Sequence, residues 1–321
     1  MRSGGVVESN LVLRSPPAWE RLSRAAFRVR QQYRYVYPTP IHDLRQRLMM
    51  LPPEEHGGQR LVQRDLQVDG ADEMRMLSQV DRFGNVVHHV SSPMVREAVE
   101  FTAEFTVERF TSADPIRVPI DEVLVPQYLG RTALTAPDAR IREEARALSG
   151  EIHATPTAAL AAEVLPKGAG ALDAAGVRQW AAAQCGGLWA ARAITYQFGA
   201  TGVQTPAAMA LHLGRGVCQD YAHIAIAMLR ELGVPVRYVS GHLLGEGAPH
   251  AWIEALLPDP DLPGALRAVA YDPTHQIAPG LNYITVAVGR DYSDVAPTSG
   301  TFQGITGHFS ARKSAWIVEL A

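Results

Sequence analysis

The sequence predicts an α+β protein: an N-terminal antiparallel β domain, then helices packed on a second antiparallel sheet. Three observations carry this prediction. Residues 27–37 and 99–108 alternate apolar and polar side chains with the period of two of half-buried strands. Residues 139–194 are rich in Ala, Leu, Arg and Glu, the strong helix formers. An apolar helical run at 224–232 is followed by three further strand-like segments.

The first strand places Phe27, Val29, Tyr33, Tyr35 and Tyr37 on one face and Arg28, Arg30, Gln32 and Arg34 on the other, and Pro38 and Pro40 end it. Shorter runs follow at 44–51, 61–68 and 74–80. Asp81-Arg82-Phe83-Gly84-Asn85 reads as a hairpin turn into 86–90. In the clearest strand, Val99, Phe101, Ala103, Phe105 and Val107 alternate with Glu100, Thr102, Glu104, Thr106 and Glu108. His88 and His89 are strand neighbours that point to opposite faces, which argues against a metal there. Helices are expected at 139–148, 157–165 and 172–194, the last one split by Gly186-Gly187. Thr205-Pro206 opens a short helix that Gly214 closes. The expected organisation is a loose N-terminus over 1–20, a β domain over 21–115, a linker over 116–136 and a core over 137–321.

Composition narrows the function. A chain of 321 residues is long enough for two domains. A net charge of −3 argues against a basic nucleic-acid footprint. Two cysteines, Cys185 and Cys218, exclude a disulfide scaffold. No apolar run is long enough for a membrane-spanning helix, and the first residues lack a signal-peptide core. The expectation is a cytoplasmic protein with neither nucleic acid nor membrane as partner.

The chemistry concentrates in Arg215-Gly216-Val217-Cys218-Gln219-Asp220-Tyr221-Ala222-His223, which leads into the apolar helix that Gly233-Val234-Pro235 stops. Cys218 therefore sits in a first helical turn. Unpaired N–H groups and the helix dipole there favour a thiolate. Strands are expected at 236–244, at 250–257 with His250 at its start, and at 268–274 with Asp272 near its tip. Packed under the helix, such strands bring Cys218, His250 and Asp272 together as nucleophile, base and orienting carboxylate.

These segments, with His250-Ala251-Trp252 and Asp272-Pro273-Thr274, resemble the transglutaminase-like superfamily of papain-type folds. The order Cys, His, Asp matches, as do the intervals of 32 and 22 residues between them. The lead-in helix over 205–214, the loop Gly289-Arg290-Asp291-Tyr292 and the N-terminal strands resemble the bacterial branch. The resemblance implies a papain-like, transglutaminase-like core and an acyl-enzyme on Cys218, with His250 as general base and then acid and Asp272 as orienting group. It implies thiol-dependent acyl transfer or hydrolysis on amide or peptide bonds. The substrate is then a protein or peptide offering a glutamine or other amide, with water or an amine co-substrate as acceptor. The alternative is a non-catalytic binding or scaffold protein on the same fold.

Pro249 stands where a small polar residue is more usual, His275 stands where an amide side chain is common, and no acidic calcium loop is evident. Gln219, Tyr196 and Trp252 are the oxyanion or substrate candidates. Gln219 and Tyr196 offer polar hydrogens, and Trp252 packs under the His250 strand or walls the cleft. His223 and Asp220 read as structural, the latter at the helix start. Cys-x-x-Cys and His-x-x-x-His spacings are absent, so neither a metal nor another cofactor is expected.

Overall fold

The computed structural model describes residues 18–111, 114–118, 124–167 and 169–321. Most of the expected loose N-terminus, and residues 119–123 of the expected linker, lie outside the described residues. Trp19 opens a 3-10 turn and packs against Phe27 with ring centroids 5.9 Å apart. The first half carries β1 (Arg24–Val36), β2 (Ile41–Leu48), β3 (Glu55–His56), β4 (Gln59–Asp69), β5 (Arg75–Val80), β6 (Val86–Val95), β7 (Ala98–Phe110) and β8 (Arg117–Val118). Then come α1 (Leu124–Leu129), α2 (Ala139–Ala154), α3 (Thr157–Val164), α4 (Ala174–Ala193), β9 (Thr195–Tyr196), α5 (Ala207–Leu213), β10 (Arg215–Gly216) and α6 (Cys218–Glu231). The chain ends with β11 (Val236–Leu243), β12 (His250–Pro258), β13 (Leu266–Tyr271), β14 (Tyr283–Gly289), α7 (Tyr292–Val295), β15 (Thr298–Gln303) and β16 (His308–Leu320).

The fold is α+β with antiparallel sheets, as expected from the alternation. The first large sheet has the order β16-β1-β7-β4-β3 and the second β15-β2-β6-β5. Phe27, Val29 and Tyr33 of β1 join Phe101 and Phe105 of β7 and Ile41, Leu44 and Leu48 of β2 in one buried core. At the hairpin before β6, the Asp81 carboxylate accepts the N–H groups of Phe83 and Asn85, and Gly84 takes the left-handed conformation (φ +86°).

The sheet that matters for chemistry has the order β14-β11-β12-β13-β8. Its middle strands β11 and β12 are buried almost throughout. Helix α6 lies against β11 and β12 and is itself buried from Gln219 to Arg230. Beside it, also against β12, runs α4, a single helix and not the two expected. Gly186 and Gly187 do not break it because their missing side chains are what packing requires. A Cβ at Gly186 would stand 2.8 Å from Leu229 of α6, and one at Gly187 3.1 Å from Tyr271.

The tail after Pro297 departs from the expected organisation. The expected core spans 137–321, yet β15 pairs with β2 and β16 pairs with β1 along its whole length. The tail thus supplies an edge strand to each N-terminal sheet. These partners lie more than 240 residues away in sequence, and alternation along one strand does not reveal which strand it will join.

Candidate active site

Cys218 is the first residue of α6 and is half-buried. Its local geometry is set two residues on. Asp220 is fully buried, and its Oδ2 accepts the Val217 N–H at 2.7 Å and the Thr201 hydroxyl. That closes the helix start from within, as the sequence reading of Asp220 expected. Gly216 owes its identity to this contact, since a Cβ there would lie 2.6 Å from an Asp220 carboxylate oxygen.

His250 opens β12 opposite Gly241 of β11. Its buried ring donates from Nε2 to Asp272 Oδ2 at 2.7 Å. Among the described residues its buried Nδ1 has no hydrogen-bond partner; Glu246 Oε2 stands 3.1 Å from it, and Cys218 is a neighbour that acts on the ring's charge. With Nε2 on the carboxylate, Nδ1 is the nitrogen left for the sulfur. Burial alone would lower the His250 pKa. Asp272, Cys218 and Glu246 outweigh it and hold the ring well above the ordinary imidazole range.

Asp272 follows β13 and is fully buried, its N–H donating to the Ile277 carbonyl at 2.9 Å. Its Oδ1 accepts the N–H groups of Thr274 at 2.8 Å and His275 at 3.3 Å. Besides His250, Oδ2 accepts the Tyr283 hydroxyl at 2.7 Å and lies 2.8 Å from His275 Nδ1. Burial would raise its pKa, but these donors hold the carboxyl well below the usual range. The carboxylate is therefore an immobile anion behind the imidazole.

The remaining candidates separate by contact. The amide of Gln219 donates to the carbonyls of Val203 at 3.2 Å and Gly202 at 3.5 Å, tying a loop to the helix. Tyr196 pairs across from Gly216 and is 54% exposed. Burial and the nearby Cys218 raise its pKa. Trp252 is fully buried, 6.2 Å from the His250 ring and edge-on to Tyr283 at 5.4 Å, so it backs the imidazole and does not wall the cleft. His223 accepts the Tyr292 N–H at 3.2 Å, a structural bond. Cys185 lies on α4, its pKa pushed up by burial.

Sequence reasoning missed two contacts. Glu246 sits between two glycines and reads as an ordinary polar turn. Tyr283 opens an apolar strand and reads as core. Only their placement next to His250 and Asp272 reveals them. His275 stands out in the sequence, but its bond to Asp272 does not.

Comparisons with known proteins agree with this architecture. The family model of the transglutaminase-like superfamily matches residues 173–262, and that of the bacterial transglutaminase-like N-terminal region matches residues 27–108. The two together span more than half the chain, which belongs to the transglutaminase-like superfamily. A solved structure from Cytophaga hutchinsonii, a candidate cysteine protease, superposes with a TM-score of 0.64 at 19% identity, covering 92% of this chain and 91% of that one. That likeness speaks for the fold. Among curated proteins, an uncharacterized protein of Mycobacterium leprae (ML0607) is 44% identical over 126 residues, 36% of this chain and 42% of its own length. An uncharacterized protein of Mycobacterium bovis (Mb2599c) is 39% identical over 117 residues, 33% of this chain and 37% of its own length. The chain thus spans well under half the length of these relatives.

Proposed function

We propose that the protein is a thiol-dependent enzyme that transfers or hydrolyses acyl groups at amide or peptide bonds through a Cys218 acyl-enzyme. The observation that supports it best is the buried His250–Asp272 pair, with an unpartnered His250 Nδ1 and Cys218 as a neighbour at a helix start. The Cys218 sulfur attacks the amide carbonyl carbon. The Cys218 N–H, at the first position of α6, has no helix acceptor four residues back and is the donor placed to face the developing oxyanion. His250, protonated, gives its Nδ1 proton to the leaving amine as the C–N bond breaks. A thioester remains. Water or an amine then attacks it, His250 takes the proton of that nucleophile, and the thiolate leaves. Asp272 holds the ring by Nε2 throughout. The family favours a protein or peptide substrate. Peptidase, amidase and transglutaminase activities differ in the acceptor admitted.

Alkylation by iodoacetamide, followed residue by residue with mass spectrometry, tests this. At about pH 6, Cys218 reacts faster than Cys185 by an order of magnitude or more, and His250→Ala removes the difference. Equal rates at the two cysteines would assign the chain to the non-catalytic alternative.

A further inference from the structure

Asp272 Oδ2 holds two imidazoles and not one. His250 Nε2 and His275 Nδ1 lie 2.7 and 2.8 Å from it, and the three ligand atoms all lie within 4.8 Å of one another. A second carboxylate faces the opposite nitrogens of the same two rings. Glu246 Oε2 is 3.1 Å from His250 Nδ1, and Glu246 Oε1 is 3.4 Å from His275 Nε2.

We propose that His250, Asp272 and His275 form a zinc site that silences the Cys218 thiol. Resting on the reading of Cys218 as the nucleophile, the proposal adds control by a metal ion. Two imidazoles and a carboxylate are a zinc donor set, with Zn–N and Zn–O bonds of about 2.0–2.2 Å that need only a modest spreading of the three atoms. His250 and Asp272 are buried, whereas the His275 side chain is 38% exposed and opens the way in. Metal-bound imidazoles place their remaining N–H on an outer carboxylate. Glu246 already occupies that position for both rings. The bonding balances simply. Zinc takes the lone pairs of His250 Nε2 and His275 Nδ1 and one from Asp272 Oδ2. The His250 imidazolium releases its Nε2 proton to solvent and keeps the other on Nδ1, beside Glu246. A ring held this way can no longer exchange a proton at Nδ1, which leaves the Cys218 sulfur without its acid–base partner, as His250→Ala does.

The test combines calorimetry with alkylation of the full chain. Zinc chloride titrated into chelator-treated protein binds at one ion per chain. It slows alkylation of Cys218 about ten-fold or more, and magnesium chloride, an ion that prefers all-oxygen sites, does not. His275→Gln keeps a side-chain donor for Asp272 but loses the metal-binding nitrogen. In this variant the zinc concentration for half-protection rises about ten-fold or more. Zinc without effect on wild-type alkylation, or half-protection unchanged in His275→Gln, overturns the site. If Cys218 is sluggish even under chelator, the nucleophile reading fails on its own. Calorimetry then decides the site: binding weakened by His275→Gln upholds the metal, and binding absent or unaltered refutes it.

Discussion

Two buried carboxylates, Asp220 and Asp272, show how residue type alone underdetermines role. Asp220 accepts from a helix-start N–H and a threonine hydroxyl, so it acts on stability. Asp220→Ala should lower stability by about 1–2 kcal/mol, read from the urea midpoint, and an unchanged midpoint would remove its capping role. Asp272 accepts from an imidazole and a phenol, so it acts on the site. Two buried histidines set the acid limit. Burial lowers the His223 pKa to about 4, with Asp291 opposing, and lowers that of His242 well below its ordinary value, with Lys313 adding to the effect. Between about pH 6.5 and pH 4 the unfolded chain binds protons that the folded chain refuses. Stability is therefore present above pH 6.5 and falls as the pH drops through this window, on the order of 3 kcal/mol for His223. Urea midpoints at the two ends of the window measure the fall, which His223→Asn should reduce. Cys218, His250 and Asp272 were legible as candidates because their spacing and neighbours are local text. Glu246 and Tyr283 were not, since nothing along the chain links them to His250 or Asp272.

At the scale of elements, the loop between β11 and β12 decides where His250 and Glu246 stand, and a distant strand holds that loop. Lys313 of β16 is 3% exposed and donates to the carbonyls of Glu246 and Ala248 at 3.0 Å and of Leu243 at 3.5 Å. Burial lowers the pKa of its ammonium to about 8, with Glu246 opposing, so it is charged at neutral pH. Lys313→Met leaves these buried carbonyls without their donor, a loss of about 1–3 kcal/mol. Hydrogen exchange in residues 244–249 should quicken and the alkylation advantage of Cys218 should shrink. Exchange and alkylation as in the wild type would show that the loop holds itself. The unbroken α4 teaches a related lesson. Glycine pairs weaken a helix in isolation, but at Gly186 and Gly187 the close approach of α6 and Tyr271 outweighs propensity.

Across the whole molecule, the N-terminal sheets and the core are joined by polar groups as well as by apolar packing. β14 is the edge of the core sheet, and two side-chain amides act there as a further strand. Asn85 donates to the Val288 carbonyl at 2.7 Å and accepts its N–H at 2.8 Å. Gln59 does the same for Thr285, at 2.8 Å in each direction. Both amides are buried. His56 of β3 reaches Glu254 of β12 at 2.9 Å, and Arg237 of β11 pairs with the same carboxylate at 2.6 Å. Asn85→Ala would leave one donor and one acceptor of β14 unmet in the interior, a destabilisation of about 2–4 kcal/mol. A urea midpoint within error of wild type would mean that the junction does not depend on the amide.

Alternation, helix-forming composition and the Cys218–His250–Asp272 text determined the fold class, most of the strands and helices and the candidate trio, because each is a pattern between near neighbours. Only the tertiary structure decided that the last strands complete the first sheets, that Lys313 holds the His250 loop, that two amides edge β14 and that Glu246 and His275 stand beside the His250 imidazole. Those contacts join groups remote in sequence. Their pairing is selected by the burial and hydrogen-bond satisfaction of the closed fold, to which no stretch of chain read alone has access.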